Sequence, residues 1–214
     1  MFTLDEVKEI TNKKIPLQSV LGLDIAELDK TNNKLKFSKT IEKVENGFTN
    51  YYNESGKVVF SDLGFEGVAR VESQRTTLFK EKGTKCACCG LEASYFKKTS
   101  NVPFKRLSND RKEKVTFHVN LMGVRNGKEV LFTKDHVKPK FKKGENNLDN
   151  YETSCSTCNF LKNSLEISMS ELREIIKNKP IEYLIEQREQ NSKKIMTDSD
   201  FDDYNEIKNM LLAQ

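Results

Sequence analysis

Two Cys-x-x-Cys pairs, one in Cys86-Ala87-Cys88-Cys89-Gly90 and one in Cys155-Ser156-Thr157-Cys158, constrain this chain more than any other feature. Four thiolates from two such pairs close a tetrahedral Zn²⁺ site, so the chain must fold back until its two halves meet. The expected ligands are Cys86, Cys89, Cys155 and Cys158. Of the five cysteines only Cys88 falls outside this spacing; it reads as a spare thiol in the knuckle, and a ligand register through it stays open. In a reducing compartment paired cysteines favour metal over disulfide.

The residues between and after the pairs carry the chemistry. Val115, Phe117, Val119 and Leu121 alternate on one face of an expected half-buried strand over 115–124. Asn126-Gly127 follows, the strongest short signal for a type I′ hairpin turn, because both central residues must accept positive φ. The return strand, 129–134, delivers Asp135-His136 at its end, on a rigid element suited to metal binding and proton transfer. His118, the only other histidine, reads as a residue of the strand's polar or DNA-facing side rather than a ligand.

In order, Cys86 to Gly90, Asp135-His136-Val137-Lys138-Pro139, Gly144, Asn150 and Cys155 to Lys162 resemble the HNH (ββα-metal) endonuclease family over about residues 75–165. The resemblance implies an α+β fold: a ββα-metal core stapled by a four-cysteine zinc site, with the helix expected to open over 159–164. It also implies a site. His136 is the general base that activates water, Asp135 and Asn159 hold a catalytic Mg²⁺ or Mn²⁺, and Asn150 braces the loop that orients the base. Many members have His where Asn159 stands, but an amide oxygen also ligates a hard cation. Lys162 is expected as a phosphate contact or an orienting charge.

Charge supports a polyanionic partner. The net +4 conceals an uneven distribution: residues 1–74 carry 10 basic against 12 acidic side chains, 75–163 carry 19 against 9, and 164–214 carry 7 against 11. Basic charge concentrated around the motifs predicts binding to DNA with a steep salt dependence. Lys138, Lys140, Lys142 and Lys143 form a loop beside His136 and are the expected phosphate contacts. With 36% hydrophobic and 32% charged residues, no apolar run long enough to span a bilayer and no signal-like start, the chain is expected to be cytoplasmic.

The reading divides the chain into an N-terminal α+β extension, 1–74, that could serve recognition, a nuclease domain, 75–165, and an acidic helical appendage, 166–214. Thr3 and Glu6 have capping-box form for a helix over about 4–12, with Pro16 expected to end regular structure. Residues 34–72 show hairpin-like pieces, with 51–56 turning into the β-rich 57–60. Ser168 and Glu171 form a second capping box, Pro180 suits the first turn of a helix over about 180–194, and a last helix is expected from Asp198 or Ser199 to Leu212. Acidic helices repel DNA, so these are expected to serve packing, oligomer contact or partner docking.

The function expected is divalent-metal-dependent cleavage of DNA, of the phage or mobile-element homing and nicking type, by a monomer or homodimer. A restriction endonuclease of the same class, or a zinc-ribbon module that binds nucleic acid without cutting it, are the rivals.

Overall fold

The computed structural model describes residues 1–25, 40–189 and 198–213. They form two compact units: unit 1 comprises Met1–Glu81 and Ser94–Met122, and unit 2 comprises Lys82–Ala93 and Gly123–Gln214. The mixed helix and strand content is that of an α+β protein.

In unit 1, helix α1 (Leu4–Asn12) has the expected capping box, with Thr3 and Glu6 each satisfying the other's backbone N–H. Pro16 does not end regular structure. It stands between the short strand β1 (Lys14–Ile15) and helix α2 (Leu17–Leu21), whose start suits a residue with fixed φ and no N–H to leave unpaired. Strands β2 (Ile41–Glu45), β3 (Phe48–Tyr52), β4 (Val58–Ser61) and β5 (Ala69–Arg70) precede helix α3 (Gln74–Lys82), and β6 (Ala93–Ser100) precedes β7 (Phe117–Arg125). The strand order is β1-β6-β7-β5-β4-β3-β2, with β5 parallel to β7. Asn46 and Gly47, at φ 53° and 79°, make a two-residue hairpin turn between β2 and β3. The expected turn before residues 57–60 is closed by Asn53, whose backbone and side chain both bond Lys57. Residues 26–39, which include the start of the expected 34–72 hairpin region, lie outside the described residues.

One polar group organises the interior of unit 1. Lys98 is fully buried on β6, and its ammonium donates to the carbonyls of Asp62, Phe65, Glu66 and Gly67 at 2.6–3.0 Å. A single cation thereby takes up the inward carbonyls of a whole loop, whose burial unpaired would be costly.

Unit 2 is built from two separate stretches of chain. The long interval between Cys89 and Asp135 is accounted for by residues 94–122, which belong to unit 1. Phe117, Val119 and Leu121 alternate as buried residues on β7 as expected, but Val115 lies ahead of the strand and is half-buried; the strand bounds are 117–125. Asn126 (φ 50°) and Gly127 (φ 75°) then turn the chain into β8 (Lys128–His136). Strand β9 (Tyr151–Cys155) pairs antiparallel with β8 and runs directly into helix α4 (Ser156–Lys162). The helix therefore begins earlier than the expected 159–164, because Cys155 is its cap: the thiol accepts from Cys158 N–H at 3.5 Å.

Helices α5 (Met169–Asn178), α6 (Ile181–Glu189) and α7 (Asp198–Leu212) complete unit 2. The expected box of Ser168 and Glu171 caps α5. Helix α7 packs on α4 and α5 and is tied to the hairpin by Arg125, which reaches Glu206 at 3.2 Å, Asp203 at 3.5 Å and the Thr157 hydroxyl at 2.8 Å. Packing within unit 2 is thus one use of these acidic helices. No helix among the described residues is long and apolar enough to cross a membrane.

Candidate active site and its four-cysteine cluster

The cluster draws on both stretches of unit 2. Cys86 and Cys89 come from the turn that follows α3, and Cys155 and Cys158 from the β9–α4 junction, where the cap bond holds the first turn of the helix in place. All four residues are buried and their sulfurs lie within 4.8 Å of one another, with Cys89 and Cys155 3.8 Å apart. A tetrahedron with Zn–S bonds of about 2.3 Å has edges of about 3.8 Å, so the four sulfurs fit a zinc ion. Hydrogen bonds from Cys155, then Cys158 and Cys89, pull the Cys86 thiol far below its ordinary range, while Cys158 is held up by Cys155. Thiols crowded this closely cannot titrate independently, and Cys86, Cys89, Cys155 and Cys158 would hold a divalent cation as thiolates. Cys88 is buried beside this cluster and is not one of its four members.

The register of β8 on β9 sets out the rest. Asp135 lies opposite Glu152 and His136 opposite Tyr151. Successive strand residues point to opposite faces: Asp135 is buried, in keeping with α4 packing against β8, and His136 is half-exposed. The imidazole stands edge-on to the Tyr151 ring, at 4.7 Å between centroids and 90° between planes.

Asn146, which the motif reading did not single out, orients that imidazole. Its Oδ1 lies 3.0 Å from His136 Nε2 and also accepts from the Tyr151 hydroxyl at 3.1 Å. With Nε2 donating to this oxygen, the ring lone pair would stand on Nδ1. Burial, and secondarily Lys134, Lys140 and Lys162, lower the His136 pKa below the ordinary histidine value, although the bond to Asn146 works the other way. The lowered pKa favours the neutral ring, the form that can accept a proton.

Asp135 is held by Lys162. The Lys162 side chain is fully buried, with Nζ 2.5 Å from Asp135 Oδ2 and 2.6 Å from the His136 carbonyl. Burial raises the Asp135 carboxyl to about 6 against the opposing bond and charge of Lys162. This corrects the expectation that Lys162 contacts phosphate: its ammonium is spent inside the protein, where no backbone of a bound polyanion can reach it. Of the two expected roles, the orienting charge is the one its position fits. Asn159 lies one helical turn before Lys162 on α4 and is half-buried.

Asn150 clamps the loop after β8. Its Oδ1 accepts from Lys138 N–H at 2.8 Å, and its Nδ2 donates to the carbonyls of Lys138 at 3.0 Å and Glu145 at 2.9 Å. Gly144 is needed where the loop closes, since a Cβ there would stand 1.8 Å from the Lys138 carbonyl oxygen. Lys138, Lys140, Lys142 and Lys143 are all exposed on this loop, and Lys142 pairs with Glu166 at 3.2 Å. His118 is half-buried on β7 in unit 1, away from this constellation in the chain, with its pKa lowered by burial and then by Arg70 and Arg75.

Among known families, the model of the one described as HNH endonuclease matches residues 124–165, about a fifth of the chain, a span that runs from the hairpin turn through β8, β9 and α4. It contains Asp135, His136, Asn150, Asn159 and Lys162 together with the second cysteine pair; the first pair lies outside it. No curated protein and no solved structure matches the chain.

Proposed function

We propose that this chain is a divalent-metal-dependent endonuclease that hydrolyses DNA phosphodiester bonds. One observation carries the reading: within the matched HNH segment, the His136 imidazole, held at Nε2 by Asn146, adjoins a buried carboxylate, while α4, packed on the same strand, carries Asn159 and Lys162.

Each residue has a distinct task. His136 removes the proton from the attacking water through Nδ1, which is in the right state near neutral pH. Asn146 and Tyr151 fix the tautomer and plane of the ring. Asn150 holds the following loop rigid, and Lys138, Lys140 and Lys143 on that loop bind flanking phosphates, Lys142 being shared with Glu166. Asp135 and the amide oxygen of Asn159 form a donor set suited to Mg²⁺ or Mn²⁺. Because Lys162 occupies Oδ2, Asp135 would offer its other oxygen. A bound divalent ion supplies Lewis-acid stabilisation of charge on the phosphate and the leaving oxygen. Products with 5′-phosphate and 3′-hydroxyl ends follow from breaking the P–O3′ bond.

Within this class we place the chain with nicking enzymes of phage or mobile-element homing type. Plasmid cleavage with Mg²⁺ tests the proposal and its rivals. Nicked circles that appear with Mg²⁺ and fall by roughly 10²–10⁴ in rate for His136→Ala support it. Linear product at a fixed site, from a homodimer, indicates a restriction enzyme instead. DNA binding with no cleavage under Mg²⁺ or Mn²⁺ leaves the zinc-ribbon module.

A further inference from the structure

Phe141 sits on the loop that Asn150 clamps and is 63% exposed, more than any other phenylalanine among the described residues. It is not the tip of a loose segment. The Pro139 carbonyl accepts from both Lys142 N–H and Gly144 N–H at 3.0 Å, and Lys143 N–H closes on the Lys140 carbonyl at 2.9 Å. Lys143 takes a left-handed conformation at φ 64°, Pro139 is buried, and the Asn150 amide grips the chain on both sides of this turn. The phenyl ring is thus presented to solvent by a backbone that is pinned at several points, five residues beyond His136.

The surroundings say what such a ring can meet. Lys138, Lys140, Lys142 and Lys143 are exposed within three residues of it in the chain, and Lys142 Nζ lies 6.0 Å from the ring centroid. An apolar protein pocket has no need of so many cations, whereas a nucleic acid strand offers flat apolar base faces at short intervals between phosphates. Stacking on any base face is available to an aromatic ring, and the phosphates on either side suit the lysines. In an intact duplex those faces are covered by neighbouring base pairs. A ring carried on an exposed turn reaches one only where the strand is unpaired or a step has opened.

We propose that Phe141 is a base-stacking residue, and that the chain engages single-stranded or locally opened DNA beside the phosphate it cleaves. This rests on the nuclease reading of the site and adds the substrate's form to it. Lys138, Lys140 and Lys143 hold the strand by its backbone, and the phenyl ring occupies the face of one adjoining base.

The chain contains no tryptophan, so Phe141→Trp introduces a single fluorescent reporter at the position in question. In the full chain carrying also His136→Ala, so that the DNA survives, its emission is expected to be quenched by a mixed-sequence single strand of about 15 nucleotides, a length that spans such sites. The matching duplex should quench less and inorganic polyphosphate not at all. In binding followed by anisotropy of the labelled single strand, Phe141→Ala and Phe141→Leu should each lose about tenfold in affinity, with Phe141→Trp restoring it. Equal quenching by polyphosphate, wild-type binding by Phe141→Leu, or bound DNA without quenching overturns the proposal. If quenching and the affinity losses hold while the wild-type chain cuts no DNA with Mg²⁺, stacking stands and the nuclease reading falls. If the wild type cuts and the Phe141 variants bind and cut as it does, stacking alone falls. A wild-type chain that binds no DNA at all overturns both.

Discussion

The Lys162 ammonium lies 2.5 Å from Asp135 Oδ2 and is sealed from solvent, so a lysine from the end of α4 is the internal counterion of a carboxylate on β8. It also donates to the His136 carbonyl, which couples the helix to both residues of the motif. Removing one member of a buried pair strands the other. Lys162→Met is therefore expected to destabilise folding by roughly 3–5 kcal/mol in urea unfolding. Asp135→Asn combined with Lys162→Met should recover part of that loss. Equal stability of Lys162→Met and wild type would remove the pair from any account of the site.

Asn150 is expected to matter to the loop more than to the fold. Asn150→Ala deletes three hydrogen bonds to the backbone of Lys138 and Glu145, on a partly exposed loop where water can replace them. The expected cost in stability is about 1–2 kcal/mol, with a drop in cleavage of at least about tenfold from misplacement of the loop that follows His136. Gly144→Ala should behave alike, since its Cβ would collide with the Lys138 carbonyl. Hydrogen exchange over residues 138–145 separates loosening of the loop from general unfolding.

The four-cysteine cluster joins stretches of chain that are far apart in sequence, so the loss of a metal held there should be felt throughout unit 2. Purified protein is expected to contain about one zinc per chain, and Cys155→Ser, which removes a thiolate ligand while its hydroxyl can still cap α4, should release the metal and lower the melting temperature. Cys88→Ser should retain the metal. A metal-free Cys155→Ser protein that melts like wild type would contradict the assignment.

His118 predicts a pH dependence in unit 1. Burial first, then Arg70 and Arg75, lower its folded-state pKa below the unfolded value of 6.5. The unfolded chain therefore binds the proton more readily, so this contribution to stability is present above pH 6.5 and is lost as pH falls through the lowered folded-state value. His118→Gln should flatten the decline in stability as pH falls below 6.5 relative to wild type. Parallel profiles for the two proteins would show that His118 makes no such contribution.

Which features were legible in the sequence follows from how local their causes are. The two capping boxes, the Asn126-Gly127 turn and the alternation on β7 depend on residues a few positions apart, and their reading agrees with the structure. The cysteine pairs carry a longer constraint, because four soft ligands at that spacing have few uses other than one metal. Asp135-His136, Asn150 and Asn159 could be named from motif order, and the matched segment includes them all. Other features required distance in sequence to become proximity in space. Nothing near Lys162 in the chain shows that its ammonium would be withdrawn into the interior by Asp135. Asn146 becomes a partner of His136 only because the clamped loop returns over β8, and Lys98 meets four carbonyls only once residues 62–67 close around it. Helix α4 starts ahead of its expected position for a related reason: the thiol of Cys155 caps it, so a metal-ligand residue also serves as a helix signal. Sequence determines which groups are present and which local conformations are cheap. Whether a buried charge faces solvent, a carboxylate or a ring of carbonyls is decided by tertiary packing, since desolvation makes every interior polar group find its partner wherever the fold supplies one.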